Sequence, residues 1–157
     1  IDVNNRHIKK GEILQAKGEL HTRAYFVKKG LVRSYTIDKK GREHIFMFAP
    51  EGWIVGDSTL PEDPCELYID ALEDSVIIPL DKDVKTAHDP TKLFNRLRVL
   101  QKRVIMLMSA SALERYEHFV ETYPDIVQRV PQRMIASYLG ITPEALSNIK
   151  NQYLKRE

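Results

Sequence analysis

Residues 132 to 149 read QRMIASYLGITPEALSNI and carry the most specific structural pattern in the chain. Two short helices that cross closely need a small residue at their contact and a glycine in the turn between them. Counted from Gln132, the fifth position is Ala136 and the ninth is Gly140. Apolar residues occupy the positions between such helices, namely Ile135, Leu139, Ile141, Leu146 and Ile149. The pattern predicts a helix-turn-helix unit.

The second helix of this unit begins with residues that favour a helix start. Thr142 suits the N-cap, Pro143 suits the first helical position, and Glu144 lies near the positive end of the helix dipole. A plain helical hairpin would need the apolar spacing, but it would not need both Ala136 and Gly140. Because helix-turn-helix units bind duplex DNA far more often than not, the sequence predicts double-stranded DNA as a partner.

The exposed side of the second helix is predicted to enter the major groove. Glu144 can accept a hydrogen bond from a cytosine amine, and Asn148 can pair with an adenine edge. Basic side chains near the unit suit phosphate contacts, which position a protein without reading sequence; these are Arg129, Arg133, Lys150, Lys155 and Arg156. The candidate DNA-binding residues are Gln132, Arg133, Thr142, Pro143, Glu144, Ser147, Asn148, Lys150 and Asn151.

Charge is unevenly distributed along the chain. The net charge is +2, but residues 1–90 hold 13 basic and 16 acidic residues, a balance of −3. Residues 91–157 hold 11 basic and 6 acidic residues, a balance of +5. This asymmetry indicates two functional units, of which the second suits a polyanionic partner.

The first part of the chain has short apolar runs separated by glycine or charged turns, as in a series of strands. The turn from Asp38 to Gly41 separates two such runs and predicts a hairpin. Many short, evenly spaced strands are typical of a barrel or jelly roll. The candidate strands are 12–16, 24–28, 31–37, 43–49, 66–71 and 75–79.

After Asp89-Pro90 the pattern becomes that of a long helix. Its apolar residues recur in alternating steps of four and three, the seam of a coiled coil. Burial of this stripe on the same chain is one alternative, but a strict seam favours pairing with a second copy. A further helix is predicted from Leu113 to Tyr123. The candidate dimerisation residues are Leu93, Leu97, Leu100, Val104 and Leu107.

Composition excludes several classes of protein. The hydrophobic fraction of 43% supports a buried core. No apolar run approaches the length of a membrane span, and no signal peptide opens the chain, so we expect a cytoplasmic protein without membrane contact. Ile1 suggests a trimmed start. Cys65 is the single cysteine, which excludes a disulfide or multi-thiolate cluster within the chain. We expect a buried thiol, no metal and no cofactor.

Together these features resemble the Crp/Fnr family of transcriptional regulators, the family of the cyclic AMP receptor protein, and its short members from Bacteroidetes most of all. The resemblance covers nearly the whole chain. In the first half it rests on residues 10–12, 25–32, 41–43 and 50–57. In the second half it rests on Glu114-Arg115-Tyr116 and on residues 135–142.

The resemblance implies an α+β fold with three parts. They are a double-stranded β-helix, or jelly roll, of the cyclic-nucleotide-binding type over residues 1–89, a dimerisation helix over 90–111, and a helix-turn-helix DNA-binding domain over 112–157. It also implies a homodimer on a palindromic DNA site. RNA polymerase and an unknown small-molecule effector are further partners that the resemblance suggests.

The sequence departs from the family where a nucleotide would bind. Members that bind cyclic nucleotides hold the ribose and phosphate with a Gly-Glu pair and an Arg followed by Ser or Thr. Here Asp57 follows Gly56, and Cys65 and Glu66 stand where Arg and Ser would be. A cyclic phosphate would lack a charge-assisted donor, so we expect no cyclic AMP binding. The candidate effector pocket is therefore degenerate and comprises Gly56, Asp57, Ser58, Cys65 and Glu66.

The recognition helix also departs from the family. The family's Glu-x-x-Ser-Arg is Glu144 to Asn148 here, so the arginine that reads guanine is replaced by Asn148. Loss of that contact removes ~1–3 kcal/mol of discrimination per half-site, and we expect a different or looser sequence preference. The sequence ends soon after this helix and does not include the family's usual β-wing; some short members lack the wing, and a shortened chain would look the same.

Two other functions are weighed against a DNA-binding regulator. A cyclic-nucleotide-binding signalling module, with DNA binding secondary, is disfavoured by the missing arginine. An enzyme that uses the barrel cavity is disfavoured because His21 and His44 alone make a poor metal set. The sequence also lacks a recognisable nucleophile–base pair or phosphate loop, so no enzymatic activity is expected.

Overall fold

The computed structural model describes residues 4–82 and 90–156, apart from the side chains of residues 92 and 93. The chain divides into two compact units, Ile1–Val84 and Lys85–Glu157. They are called here the β unit and the helical unit. The predicted domain boundary at residue 89 lies outside the described residues.

The β unit is formed by antiparallel strands in two four-stranded sheets. Within the described residues the strands are β1 (Arg6–Ile8), β2 (Ile13–Gln15), β3 (Ala24–Lys29), β4 (Val32–Ile37), β5 (Glu43–Ala49), β6 (Ile54–Val55), β7 (Tyr68–Ala71) and β8 (Ser75–Leu80). One sheet has the order β1-β8-β3-β6 and the other the order β2-β7-β4-β5. The pairs β1–β8, β2–β7, β3–β6 and β4–β5 are nested, as in a long hairpin rolled up, which is the jelly-roll topology that the sequence predicted.

All six predicted strands form, with ends within two residues of the predicted ones. Strands β1 and β6 were not predicted, because runs of three and two residues are too short to show a period of two. The core lies between the sheets, where alternate residues point inward. Buried members from both sheets are Val27, Ile77, Val32, Ile69 and Ala71.

The helical unit contains five described helices. They are α1 (Pro90–Ser109), α2 (Ala112–Thr122), α3 (Ile126–Arg129), α4 (Gln132–Leu139) and α5 (Pro143–Leu154). The aromatic rings of Phe119, Tyr123 and Tyr138 pack on one another with centroids 5.4 to 5.6 Å apart. The core of the helical unit also contains fully buried aliphatic side chains, namely Ile126, Ile135, Leu139 and Leu146.

Helix α1 ends at Ser109, two residues before the predicted end of the long helix at residue 111. Ser111 starts the next helix. Its Oγ accepts from the Glu114 N–H at 3.2 Å, and the Glu114 carboxylate accepts from the Ser111 N–H at 2.6 Å. This capping box begins α2, one residue before the predicted Leu113.

Candidate nucleic-acid interface

The turn between α4 and α5 has the geometry that its residues dictate. Gly140 adopts φ 67° and ψ 34°, a left-handed conformation that strains other L-residues, and it ends α4. The Ile141 N–H donates to the Ala136 carbonyl at 3.0 Å, which satisfies one of the last carbonyls of α4. Ala136 is buried, as expected for the small residue where the helices meet.

The next helix begins as predicted. The Thr142 Oγ1 accepts from the Ala145 N–H at 3.2 Å, and Pro143 stands at the first turn. Leu146 and Ile149 are buried. Their burial fixes which side of α5 faces away from the helical core.

Most candidate DNA-binding residues lie on that outer side. Thr142, Pro143, Glu144, Ser147, Asn148 and Asn151 of the second helix and its cap are exposed, as are Gln132 and Arg133 at the start of α4. Lys150 is half-buried. We call these nine residues the DNA-reading surface; their binding role stays a prediction.

The other predicted phosphate contacts have mixed environments. Lys155 is exposed, and Arg129 is half-buried. Arg156 donates to the Glu117 carboxylate at 3.2 Å. A phosphate at Arg156 would therefore compete with an existing exposed ion pair.

Helix α1 exposes several large apolar side chains, but not all those of the predicted seam. Leu97 and Val104 are 51% and 54% exposed. Leu100 and Leu107 are half-buried within the chain, and the Leu93 side chain is not among the described ones. Further exposed apolar residues share the face of Leu97 and Val104 at helical spacing. This exposed face of α1 comprises Phe94, Leu97, Val104, Ile105 and Met108.

The residues of the candidate effector pocket come together around Asp57. This side chain is buried, and its Oδ1 accepts from the Thr59 N–H at 2.9 Å. Its Oδ2 accepts from the N–H groups of Glu66 and Leu67, each at 2.8 Å. Burial opposes ionisation, but these backbone donors outweigh it, so the pKa of Asp57 lies below its ordinary value.

The other residues of the candidate effector pocket either pack within the β unit or are exposed to solvent. Gly56 packs on Ala24, whose Cβ would lie 3.1 Å from an added Cβ. Cys65 is buried as predicted, and its Sγ lies 3.0 Å from the Ala16 carbonyl oxygen. Ser58 and Glu66 are exposed. The role of these residues as an effector pocket stays a prediction, and the sequence did not predict that backbone N–H groups donate to the Asp57 carboxylate.

A surface cleft of about 250 Å³ lies elsewhere on the β unit, beside the paired β1 and β8. Lys9 and Asp74 at its rim form an ion pair with a 2.8 Å contact. Among the described residues, no three His, Cys, Asp or Glu side chains group as a metal site. None of the described helices combines the length and hydropathy needed to cross a membrane.

Comparison with known proteins places this architecture in a family. Residues 5–85 match the cyclic nucleotide-binding domain. The chain therefore belongs to the cyclic nucleotide-binding domain family. The resemblance to Crp/Fnr regulators, seen in the sequence, is confirmed by its relatives.

Two of these relatives are bacterial regulatory proteins. Regulatory protein HlyX of Actinobacillus pleuropneumoniae is 27% identical, over 94% of this chain and 70% of that protein. The fumarate and nitrate reduction regulatory protein of Vibrio cholerae is 25% identical, over 96% of this chain and 68% of that protein. The chain thus spans a little over two thirds of the length of these relatives.

Solved structures share the fold. FixK2 from Bradyrhizobium japonicum superposes with a TM-score of 0.82 at 23% identity, covering 97% of this chain and 84% of that chain. A Crp/Fnr-family transcriptional regulator from Thermus thermophilus superposes with a TM-score of 0.73 at 17% identity, covering 97% and 86%. The order of a β-sheet domain followed by helices is therefore that of Crp/Fnr proteins.

Proposed function

We propose that the protein is a transcription regulator that binds duplex DNA through the DNA-reading surface and acts as a homodimer on a palindromic site. The observation that carries this proposal is the outer side of α5. It presents exposed polar side chains, whereas Leu146 and Ile149 anchor the opposite side in the core. The names of the related regulators support the same function.

The spacing on α5 explains how base edges would be read. Glu144, Ser147, Asn148 and Asn151 follow one another at steps of three, one and three residues, which places them on one helix face. Glu144 accepts from a cytosine amine, and Asn148 pairs with an adenine edge. Arg133 and Lys150 contact phosphates and set the register.

The homodimer rests on the exposed face of α1. Apolar side chains this exposed on a helix, such as Met108 at 80%, indicate an interaction surface. A second copy would cover the same face by twofold symmetry. Two DNA-reading surfaces related by that axis match half-sites about one helical turn apart, that is, roughly 10 base pairs.

The β unit is proposed to work without cyclic AMP. Asp57 stands where the family's ribose-binding Glu would be, and its carboxylate is already used by three backbone N–H groups. Cys65, at the position of the phosphate-binding arginine, is buried and supplies no positive charge. We also propose that the β unit responds to an effector of another chemical class and that the protein contacts RNA polymerase. Its proposed location is the cytoplasm.

Selection of bound sequences from random DNA duplexes tests the main proposal. We expect a palindromic consensus to be enriched by the wild-type protein. The double variant Glu144→Ala, Asn148→Ala should lose enrichment at the positions these side chains read. Glu121→Ala, an exposed change on α2, serves as the matched control and should select the wild-type consensus. If the wild-type protein enriches no palindrome, the specific regulator is wrong.

The family match over residues 5–85 supports a second candidate, a cyclic-nucleotide-binding signalling module in which DNA binding is secondary. Thermal unfolding with increasing cyclic AMP separates the two. We expect no saturable rise in Tm, because the pocket carboxylate is occupied. A ligand that binds the folded state alone raises Tm with concentration, so a saturable rise would establish the second candidate.

A further inference from the structure

Arg115 on α2 reaches two other helices of the helical unit at once. Its Nη2 donates to the Leu107 carbonyl at 2.7 Å, and its Nη1 donates to the Leu139 carbonyl at 3.2 Å. Leu107 lies in the last turn of α1, and Leu139 is the last residue of α4, directly before Gly140. One guanidinium therefore joins the end of α1 to the turn that precedes α5.

These two carbonyls belong to helix ends, whose last carbonyls have no partner in their own helix. The Ser111 N–H, four residues after Leu107, donates to the Glu114 carboxylate instead. At the other end, the N–H groups of Gly140 and Ile141 donate to Ala136 and Ser137 and leave the Leu139 carbonyl to Arg115. The guanidinium thus places positive charge at the negative ends of two helix dipoles.

The chemistry of arginine makes this link directional. Its donors point in fixed directions from a planar group, so both hydrogen bonds hold only for one relative placement of the two helix ends. Within the described residues the buried Nε of Arg115 lacks a hydrogen-bond partner. That burial costs free energy, which an apolar side chain would avoid.

A second contact joins the same two helices. The guanidinium of Arg103 on α1 lies 4.1 Å from the ring centroid of Tyr138 on α4. Tyr138 precedes Leu139, so both arginines act on the end of α4. Two contacts at this end restrict rotation of α4 about α1 more than one contact would.

We propose that Arg115 is a positioning residue that sets the direction of the DNA-reading surface relative to the exposed face of α1. The inference rests on the proposed function. In a dimer joined through α1, this direction determines the separation of the two DNA-reading surfaces. Arg115 therefore controls which half-site spacing the dimer accepts, without touching DNA.

The test measures affinity for duplexes that carry the selected half-sites at the selected spacing and at spacings changed by one and two base pairs. We expect Arg115→Met to lose roughly three- to thirtyfold in affinity at the selected spacing. Affinity at the altered spacings should change much less, so that the spacing preference flattens. Arg115→Lys keeps the charge but lacks the planar fork, and it should flatten the preference as well.

Arg96→Met on α1 is the matched control, because it removes the same charge from an exposed position outside the exposed face of α1. It should leave the spacing preference unchanged. A merely structural role of Arg115 predicts a lower Tm and an equal loss of affinity at every spacing, and that result would overturn the inference. An unchanged preference in a folded Arg115→Met protein would overturn it too.

Failure of the inference differs from failure of the proposed function. If the wild-type protein selects no DNA, both fall; if it selects a site and Arg115→Met keeps its spacing preference, only the inference falls. For variants that bind DNA too weakly to be compared, a distance within one protomer can be measured in the absence of DNA. Spin labels at the exposed positions Lys102 and Gln152, diluted with unlabelled protein, should give a narrower distance distribution in the wild-type background than with Arg115→Met. Equal widths would contradict the inference.

Discussion

Arg33 is a charged side chain placed where charges are rarely found. It lies on β4, only 6% exposed, with its Nε 2.8 Å from Asp70 and its Nη1 2.6 Å from Glu43. Its guanidinium also stands 4.0 Å from the centroid of the Tyr35 ring. Burial opposes the charge, but the hydrogen bonds to the two carboxylates outweigh it and raise the pKa of Arg33.

Removing one partner of a buried charge is costly, because the other charge stays behind. We expect Asp70→Asn to lower the free energy of unfolding by about 3 kcal/mol, the lower end of the range for broken buried pairs, since Glu43 still contacts Arg33. Urea unfolding at neutral pH measures this. Asp63→Asn changes an exposed carboxylate of the same unit and should leave the urea midpoint almost unchanged. Equal midpoints for both variants would contradict the expected role of Asp70.

Asp57 predicts how stability depends on pH. A carboxylate whose folded-state pKa is lowered contributes stability that is complete above its unfolded pKa of about 4 and is lost as pH falls through the folded-state value. Asp57→Asn should therefore cost about 2 kcal/mol at pH 7, with the difference from wild type narrowing below about pH 4. Denaturant unfolding across this pH range provides the measurement. Asp63→Asn, exposed on the same loop, should show no such difference at any pH.

At the scale of elements, α1 shows how periodicity and burial differ. The sequence placed five residues on one seam, because their spacing alternates by four and three. The structure half-buries Leu100 and Leu107 and leaves Leu97 and Val104 on a face with Phe94, Ile105 and Met108. The surface available to a second copy is therefore rotated from the predicted seam.

The rotation of this surface changes which variant tests the dimer best. Leu97→Asp with Val104→Asp should yield folded monomers, because both side chains are exposed in the single chain and their charge disfavours burial against a second copy. Sedimentation and light scattering report the mass, and circular dichroism reports the fold. Lys102→Asp adds negative charge at an exposed position off this face and should leave the dimer intact. A dimer that survives the double change would remove α1 from its proposed role.

At the scale of the whole molecule, charge is divided between the two halves of the chain. The basic balance of +5 over residues 91–157 accompanies the proposed DNA-binding region, and the balance of −3 lies in the first 90 residues. A protein that neutralises phosphates releases counterions, so its affinity for DNA falls with salt. The salt dependence of DNA affinity therefore measures how many of these basic residues contact DNA phosphates.

The logarithm of the DNA affinity falls linearly with the logarithm of the salt concentration, and removal of a single phosphate contact should make this slope shallower by about 0.9. Arg133→Ala removes one such contact from each protomer, so we expect a decrease of roughly 1.8 per dimer. Binding to the selected duplex over a series of salt concentrations measures the slope. Lys39→Ala, an exposed change in the turn after β4, should keep the wild-type slope. An unchanged slope with Arg133→Ala would exclude a phosphate contact at that residue.

The amino-acid sequence was sufficient to predict those elements whose signals are local. Strand periodicity, the cap at Thr142 and the left-handed Gly140 depend on residues a few positions apart, and the structure has them where the sequence predicted. The Ser-x-x-Glu capping box at Ser111 is a local signal too, and it marks the point where α1 has ended and α2 begins.

The partners of the buried polar side chains, in contrast, follow from the three-dimensional fold. Arg33 pairs with a residue 37 positions away, and Asp57 binds backbone groups 9 and 10 positions away. Arg115 joins carbonyls 8 residues before it and 24 residues after it. The sequence marked Arg115 through its Glu-Arg-Tyr resemblance, but not as a link between helices. Such contacts depend on which elements the fold brings together, because a hydrogen bond requires atoms within about 3 Å in space, whatever their separation along the chain.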